Sequence, residues 1–581
     1  MKYLKLFLKE NKGKVVITLI MLLGQVVGTL LIPFLIARIV DTVILKGNIN
    51  ELVNIGWQMA IVLLVTTIVA ILGSYYSADL AATFGYYMRD KIFCKSQELA
   101  IDDFDTIGVS SMITRTTSDI SNLQQNFGLV LQLIMPAPLI IVASIVMTMN
   151  TNFILGLILI ASVIIFMFFS SIVLKKSISI SKKVQTKLDY INQVIRESIT
   201  GIRVIRAFGN EKYEENRARK AFKSYATDMI KLNKIFATLN PTIWLIIGLL
   251  VAIIVWLGGI FSMKGTMEIG QITAVTEYSI IMLSYLIMAT TTSVTLPKMK
   301  SCLDRIEEVL EINPNIQDLN IKNKSINDND KVVEFKNVSF FYKGGEEPVL
   351  KNISFSCNKG ETTAIIGSTG SGKSTIASLL LRLHDIDKGE ICIKGVDIRY
   401  ISQKELRDKI GYVPQKAFLF SGTIEDNLKM GYKEATEEDM KKAINISQSE
   451  SFINKLPLGL KSEVSQGGLN FSGGQKQRLS IARALIKKAP IYIFDDSFSA
   501  LDLKTDSALR KALKENMTDA TKIIIAQRVS TIMDADQILV LDEGNLVGIG
   551  KHEDLIKNCS VYQEIAKSQI NIKEEWYFEK R

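Results

Sequence analysis

The sequence lacks the cysteine pattern of a disulfide-rich or zinc-binding protein. Its five cysteines, Cys94, Cys302, Cys357, Cys392 and Cys559, are scattered singly along 581 residues. Disulfide frameworks and structural zinc sites both use cysteines at recurring, paired spacings. Neither kind of site is indicated, and a reducing cytosol suits these thiols.

The chain also lacks the low hydropathy of an ordinary soluble enzyme. Hydrophobic residues make up 48% of it, and the mean hydropathy is +0.22. A net charge of +10 is compatible with nucleic-acid binding, but membrane proteins collect Lys and Arg in their cytoplasmic loops. Because the chain is too long for one compact domain, we expect a membrane part joined to a soluble part, and no nucleic-acid partner.

Long uncharged stretches predict the membrane part. A helix needs about 20 mostly apolar residues to cross a bilayer. Stretches without a charged residue cover 15–37, 52–78, 120–174 and 235–263. The third is long enough for two helices, with the polar turn "MNTN" at 149–152 between them. A less apolar sixth span starts near Gly270, so a transmembrane domain of six helices is predicted over residues 1–310.

Basic residues predict the orientation. Five lysines precede the first span, and the long connections 79–119 and 175–234 are rich in Lys and Arg. The short connections near Gly47 and Thr266 carry only the basic residues Lys46 and Lys264. The positive-inside rule places both termini and both long loops in the cytoplasm. The basic N-terminus is thus the flank of a first helix and not a cleaved signal. The long loops should continue the membrane helices by about 30 Å.

Glu277 is a carboxylate inside the sixth span. A charge facing lipid is costly enough to be rare. We expect this side chain to face a central path and to contact cationic cargo. The alternative is a solvated cavity residue without a role in selectivity.

A nucleotide-binding motif follows a change in composition. After a polar linker at 311–331, a soluble α/β domain is expected over 332–570, and 571–581 form a C-terminal tail. The stretch "TTAIIGSTGSGKST" reads as a strand, a glycine-rich phosphate loop and a helix start. Backbone N–H groups would surround phosphate, Lys373 would reach the β- and γ-phosphates, and Ser374 would ligate Mg²⁺. The loop residues are Gly367, Ser368, Thr369, Gly370, Ser371, Gly372, Lys373, Ser374 and Thr375.

Two further segments carry a family resemblance. The stretches "NFSGGQKQRLSIARAL" and "IYIFDDSFSALD" resemble the ATP-binding cassette family, and the resemblance extends over essentially the whole chain. It implies a domain-swapped exporter bundle of six helices followed by a cytosolic P-loop (Walker A) cassette. In that family a serine-glycine-glycine stretch contacts the γ-phosphate of ATP held by the opposing cassette. The matching residues here are Ser472, Gly473, Gly474 and Gln475.

The resemblance implies further roles in the cassette. Tyr342 matches an aromatic that stacks on adenine, with an ordinary edge-strand tyrosine as the alternative. Gln415 matches a glutamine that senses Mg²⁺ and the membrane domain. Asp495 matches the aspartate beside Mg²⁺, and Asp502 a residue that reaches across the dimer. In the membrane half, two loop regions look like the family's coupling regions, whose aromatics at Phe104 and at 208–213 should dock on cassettes.

The sequence departs from the family at two catalytic positions. The residue after the Mg²⁺-side aspartate is typically a glutamate that polarises the attacking water, and here it is Asp496. A histidine that contacts the γ-phosphate is replaced by Gln527. Asp496 is one methylene shorter, a shortfall of about 1 Å that can cost about a hundredfold in rate. We expect this site to hold ATP and split it slowly.

The resulting hypothesis is half of an ATP-driven exporter in the plasma membrane. It would use ATP and Mg²⁺ and move hydrophobic or small amphipathic molecules. A homodimer would have two slow sites, whereas a heterodimer would have one slow and one fast site. A heterodimer with a second half-transporter is therefore favoured over a homodimeric lipid or peptide exporter. The short segment before Val15 counts against the peptide-processing exporters. An ATP-gated channel or regulatory subunit is the main rival, and six spans argue against a soluble chromosome or repair ATPase.

Overall fold

The computed structural model describes residues 2–44, 49–318 and 330–569. They form two compact units, which are described separately below. One unit consists of Met1–Gln97 and Val109–Ile312, and the other of Glu98–Gly108 and Asn313–Arg581. Most of the predicted linker and the whole predicted tail at 571–581 lie outside the described residues.

The regular secondary structure in the described part of the first unit is entirely helical. Its helices, with the short α4 of the second unit included in chain order, are α1 Lys2–Glu10, α2 Lys12–Ile39, α3 Ile49–Glu98, α4 Ile101–Ile107, α5 Val109–Thr114, α6 Ile120–Leu129, α7 Pro136–Thr151, α8 Phe153–Thr200, α9 Ile202–Ala207, α10 Glu211–Met263, α11 Ile269–Ser293 and α12 Leu296–Glu311. Turns of π-helix at Val40–Ile44, Arg115–Asp119 and Val130–Ile134 connect some of them.

Six of the described helical stretches are long and apolar enough to cross a membrane. They are Lys12–Ile44, Glu51–Glu98, Val109–Thr151, Phe153–Thr200, Pro241–Met263 and Ile269–Glu311. This confirms the six predicted spans. Helices α3, α8 and α10 run for 50, 48 and 53 residues, far more than the roughly 20 that a bilayer requires. The long connections therefore do continue the membrane helices, as predicted.

The turn between the third and fourth spans has a local cause. Asn152 is extended (φ −154°, ψ 120°), and its side-chain oxygen accepts hydrogen bonds from Ile154 N at 3.0 Å and Leu155 N at 3.3 Å. An asparagine that satisfies the first free N–H groups of a helix is a strong N-cap. The polar "MNTN" stretch thus ends α7 and starts α8.

Helix α11 lies against α2, α7 and α10 within the bundle. Its close approach to α2 requires Gly270, because a Cβ there would lie 2.1 Å from the carbonyl oxygen of Ala37. The backbone N–H of Gly270 also donates to Asp41 Oδ1 at 2.6 Å. Thr273, Glu277 and Ser284 of α11 are half-buried. Helical spacing places these three polar residues on one face.

The second unit is built on two main sheets. Its strands are β1 Lys331–Phe340, β2 Leu350–Asn358, β3 Thr362–Gly367, β4 Lys388–Ile393, β5 Val396–Asp397, β6 Ile410–Val413, β7 Gly422–Thr423, β8 Glu463–Val464, β9 Ile491–Asp495, β10 Thr521–Ile525, β11 Gln537–Asp542 and β12 Asn545–Gly550. Its remaining helices are α13 Lys373–Leu380, α14 Gln403–Asp408, α15 Ile424–Lys429, α16 Glu437–Ile446, α17 Glu450–Ile453, α18 Gly473–Leu485, α19 Leu503–Asn516, α20 Val529–Ile532, α21 His552–Asn558 and α22 Ser560–Gln569.

The larger sheet positions the candidate site. Its order is β12-β11-β3-β10-β9-β6, and every pair except β11–β12 is parallel. Alternate residues of β3 enter two different cores, Ala364 and Ile366 on one face and Ile365 on the other. Burial on both faces explains the unbroken apolar runs. Because β3, β9 and β10 are parallel, the segments that follow them meet at one edge of the sheet.

Candidate functional site: an ATP site at the carboxyl ends of the parallel strands

The phosphate loop connects β3 to α13, as predicted. Gly370 and Gly372 have φ angles of +86° and +96°, which side chains rarely adopt. A Cβ on Gly372 would also lie 2.6 Å from Leu350 Cδ2. Helix α13 begins at the next residue, so its free N–H groups point into the loop. An arrangement of this kind can bind an anion.

Lys373 lies inside the loop. Its Nζ donates to the carbonyl oxygens of Gly367 at 2.9 Å and Ser368 at 2.6 Å. Burial lowers the pKa of Lys373, while the nearby carboxylates of Asp496 and Asp495 act in the opposite direction. The loop therefore holds one amine next to the phosphate-binding backbone.

Asp495 ends β9 beside the start of α13. Its Oδ1 accepts a hydrogen bond of 2.9 Å from Ser374 Oγ. Asp495 is only 4% exposed, and this burial raises its pKa. The Tyr412 hydroxyl on β6 is a second neighbour, and burial raises the pKa of Tyr412 to about 12. The carboxylate is thus held between two hydroxyl groups.

This donor set fits Mg²⁺. The ion prefers oxygen ligands and usually keeps several waters while binding one or two carboxylates and substrate phosphates. Ser374 and Asp495 supply a hydroxyl and a carboxylate whose oxygens are 2.9 Å apart. Gln415, the third predicted ligand, contacts Asp496 Oδ2 through its Nε2 at 3.3 Å. Within the described ranges, no group of three or more His, Cys, Asp or Glu side chains is arranged to hold a metal ion.

Asp496 has an unusual backbone and two amide neighbours. Its φ is +45°, a region that aspartate tolerates better than most residues. Gln415 Nε2 donates to Asp496 Oδ2 at 3.3 Å, and Gln527 Nε2 donates to the same oxygen at 3.0 Å. Burial raises the pKa of Asp496, and the hydrogen bond from Gln415 opposes that effect. The structure thus gathers all three predicted catalytic side chains at one oxygen.

Tyr342 presents a partly open ring beside the phosphate loop. It is 40% exposed, and its hydroxyl lies 3.1 Å from Thr375 Oγ1. The ring meets those of Phe340 and His384 edge-on, with centroids 4.9 and 5.4 Å away. One face of an aromatic fixed in this way can accept a base.

The serine-glycine-glycine stretch forms the start of α18. Ser472 Oγ accepts from Gln475 N at 3.3 Å, and Gln475 Oε1 accepts from Ser472 N at 2.9 Å. Asp502 caps α19 by accepting from Thr505 N at 3.0 Å. Ser472, Gly473 and Asp502 are exposed. Among the described residues, no hydrogen bond joins them to the phosphate loop of the same chain.

Glu277 lines a cavity of 580 Å³ in the first unit. The cavity lies between the last turns of α10 and the first turns of α11. Its walls are mainly apolar, with Ser262, Thr273 and Thr276 as further polar groups. The cavity therefore combines one carboxylate with an apolar surface.

The two predicted coupling regions have different surroundings. Glu98–Gly108, which contains α4, is part of the second unit, and Phe104 there is half-buried. In the first unit, Phe208 and Tyr213 are 76% and 68% exposed. The second pair presents aromatic rings that the described part of this chain leaves exposed.

Comparison with known proteins gives the family. Residues 15–286 match the family described as ABC transporter transmembrane region, and 350–499 match the one described as ABC transporter. An uncharacterized ABC transporter ATP-binding protein of Bacillus subtilis, YfiB, is 34% identical over 564 residues, covering 97% of this chain and 98% of its own. A similarly named protein of Mycobacterium tuberculosis is 33% identical, covering 97% of both chains. The structure of a bacterial Atm1-family ABC exporter with ATP bound has a TM-score of 0.81 and 27% identity, covering 96% of this chain and 98% of the other.

The chain is an ABC exporter half-transporter. The exporter joins a membrane domain to an ATPase domain in one chain, and it couples ATP hydrolysis to transport. ABC exporters dimerise and act in a lipid bilayer, and this half contributes six candidate spans as a multi-pass membrane protein. Its ATPase domain implies ATP binding, for which Mg²⁺ is generally required.

Sequence reasoning missed several residues around the exporter's site. Tyr412 was not singled out, although alternation along β6 places it on one face of the sheet. Asp102 and Asp103 belong to the acidic stretch "IDDFD" at the bottom of a loop, which was a usable signal. His384 gave no signal, because its neighbours are distant in the sequence.

Proposed function

We propose that this chain is the slow-site half of a heterodimeric exporter in the plasma membrane. Two halves would build a twelve-helix path that moves hydrophobic or amphipathic, drug-like or lipid-like molecules out of the cytoplasm. The lysines before the first span and in the long loops support cytoplasmic termini. A homodimer moving lipids or peptides is the alternative assembly.

ATP would bind between Tyr342 and the phosphate loop. Tyr342 would stack on adenine, and the residues from Gly367 to Thr375 would surround the phosphates. Ser374, Gln415 and Asp495 would hold Mg²⁺, which would neutralise negative charge on the phosphates. Ser472, Gly473, Gly474 and Gln475 would complete the partner's site, together with Asp502. The exposure of Ser472, Gly473 and Asp502 and the position of the stretch at the start of α18 support this role.

The slow site is supported by one observation, the shared oxygen of Asp496. A catalytic carboxylate must present a basic oxygen to the attacking water. Here Oδ2 already accepts from Gln415 at 3.3 Å and from Gln527 at 3.0 Å. These two hydrogen bonds occupy positions on the oxygen that the attacking water would need, although burial raises the pKa of the carboxyl group. A short side chain tied to two amides is a poor general base, so the faster site would be the one on the partner.

Glu277 would select cationic amphipathic substrates. The polar face of α11 that carries Thr273, Glu277 and Ser284 would be costly against lipid, which supports a position on the path. A lipophilic cation could pair with the carboxylate and bury its apolar part in the 580 Å³ cavity.

The test is uphill transport in proteoliposomes. The chain and its co-purifying partner should concentrate a lipophilic cationic dye when ATP is supplied. Glu277→Gln should weaken transport of this dye relative to a neutral dye, whereas Glu51→Gln, a half-buried carboxylate near the start of α3, should not. Equal effects of the two variants would rule out the substrate assignment. Flux that only follows the gradient would favour the rival, an ATP-gated channel.

A further inference from the structure

The coupling segment, Glu98–Gly108, is part of the second unit and is anchored there by a buried aspartate. Asp103 Oδ1 accepts from Asn315 Nδ2 at 2.8 Å. Its Oδ2 accepts from Asn315 N at 3.3 Å and from Ala100 N at 3.2 Å. Both oxygens of Asp103 are thereby used for anchoring. The neighbouring Asp102 points elsewhere, towards His384.

His384 lies between this segment and the proposed adenine site. Its Nδ1 is 3.0 Å from Asp102 Oδ1, a distance that suits an ion pair. The contact with Asp102 does not have the angles of a hydrogen bond, and no other described residue makes a hydrogen bond to Nδ1. The imidazole is only 6% exposed, and its ring lies against Phe340 and, at 87° between planes, against Tyr342. A buried polar ring needs such a partner, so Asp102 helps to fix its position.

The turn that carries His384 follows α13 and is held by hydrogen bonds of the buried Arg382. Arg382 is buried with φ +50°, and its guanidinium donates to Asp385 Oδ1 at 2.9 Å and to the carbonyl oxygen of Gln317 at 3.2 Å. Helix α13 has 8 residues, so this turn lies about 12 Å from the phosphate loop. If the coupling segment is displaced, the His384 ring should therefore move more than the backbone of the turn that carries it.

We propose that His384 is a positioning residue that transmits the state of the coupling segment to the adenine contact of this chain. Asp102 holds the imidazole, and the imidazole edge holds the Tyr342 ring at the angle at which it stacks on the base. Coupling between two sites is reciprocal. If the position of the coupling segment changes the affinity for adenine, adenine binding must also change the position of the coupling segment. The inference rests on the proposed adenine contact of Tyr342, but it is independent of the rate of hydrolysis.

The test is equilibrium binding of two ligands to the purified full-length chain in lipid nanodiscs. ATP reports the adenine contact, whereas inorganic triphosphate reports the phosphate loop alone. Asp102→Asn and His384→Phe should each weaken ATP binding by about fivefold and leave triphosphate binding unchanged. The double variant should be no weaker than either single one, because both changes break one connection. Asp105→Asn, an exposed carboxylate on the same helix, is the matched control.

Three outcomes overturn the inference: unchanged ATP affinity in Asp102→Asn, equal losses for both ligands, or additive losses in the double variant. Asp102 is partly exposed, so its variant should fold even if His384→Phe does not. Tyr342→Ala separates this inference from the adenine assignment. If that variant binds ATP normally, the adenine assignment fails. If it binds ATP weakly while Asp102→Asn binds normally, only the role of His384 fails.

Discussion

Replacing Asp496 by glutamate should speed ATP hydrolysis at this chain's phosphate loop. The present carboxylate reaches only as far as the amides of Gln527, at 3.0 Å, and Gln415, at 3.3 Å. One more methylene extends the reach by about 1 Å, and misplacement of that size costs about a hundredfold in rate. A hundredfold corresponds to about 2.7 kcal/mol in the activation free energy. Because Gln527 stays in Asp496→Glu, we expect a gain of about tenfold, and a larger gain when Gln527→His is added.

The assay is steady-state phosphate release by the full-length chain in nanodiscs, with ATP binding measured in parallel. Asp495→Glu is the matched control, since the same added methylene there would displace the carboxylate that Ser374 contacts at 2.9 Å. That variant should lose activity. The reasoning is refuted if Asp496→Glu binds ATP normally but hydrolyses it no faster than the unaltered chain.

Three further predictions concern the phosphate loop, the coupling segment and the bundle. Gly372→Ala should abolish ATP binding in a filter assay, because its Cβ would meet Leu350 at 2.6 Å with φ at +96°; normal binding would contradict this. Phe104→Ala should lower transport more than ATPase activity in proteoliposomes, and parallel losses would assign it a structural role only. Arg305→Ala should destabilise the bundle by about 2 kcal/mol in denaturant unfolding, since its guanidinium forms two hydrogen bonds, of 2.8 and 2.6 Å, to the buried Asp119. Breaking the exposed ion pair of Arg219 with Glu215 should lower the free energy of unfolding by about 0.5 kcal/mol or less. Equal losses of stability for the two changes would contradict the reasoning.

A pH dependence follows from the buried carboxylates. Burial raises the pKa of Asp495 and of Asp496, so each gains a proton at a higher pH than an exposed aspartate does. Mg²⁺ prefers the ionised carboxylate, and proton uptake competes with the metal. Mg²⁺-dependent ATP binding should therefore weaken on acidification before the usual carboxyl range is reached. Asp495→Asn should remove this dependence on pH. If ATP binding by the variant still weakens on acidification, another group is responsible.

Features that depend on residues close together in the sequence were predictable. The phosphate loop follows from glycines at fixed spacing, since local backbone conformation decides the anion site. The turn at Asn152 follows from its own side chain, which caps the next helix. The spans follow from hydropathy, because an uncharged stretch of sufficient length has few alternatives.

Features that depend on distant segments were less accessible. The meeting of Gln415 and Gln527 at one oxygen of Asp496 depends on the order β10-β9-β6, which places three separate loops at one edge. The approach of Asp102 to His384 depends on where Glu98–Gly108 lies in the fold. Neither arrangement has a periodic or local signature in the sequence.

The slow-site hypothesis is tested most directly by comparing ATP turnover of the chain purified alone with that of the complex purified with its co-purifying half-transporter. We predict slow turnover by the chain alone and at least about tenfold faster turnover by the complex, a gain that is lost when the partner's catalytic glutamate is changed to glutamine. Turnover by the chain alone that is as fast as that of the complex would contradict the hypothesis. So would a complex whose activity is abolished by Asp496→Asn but not by the partner change.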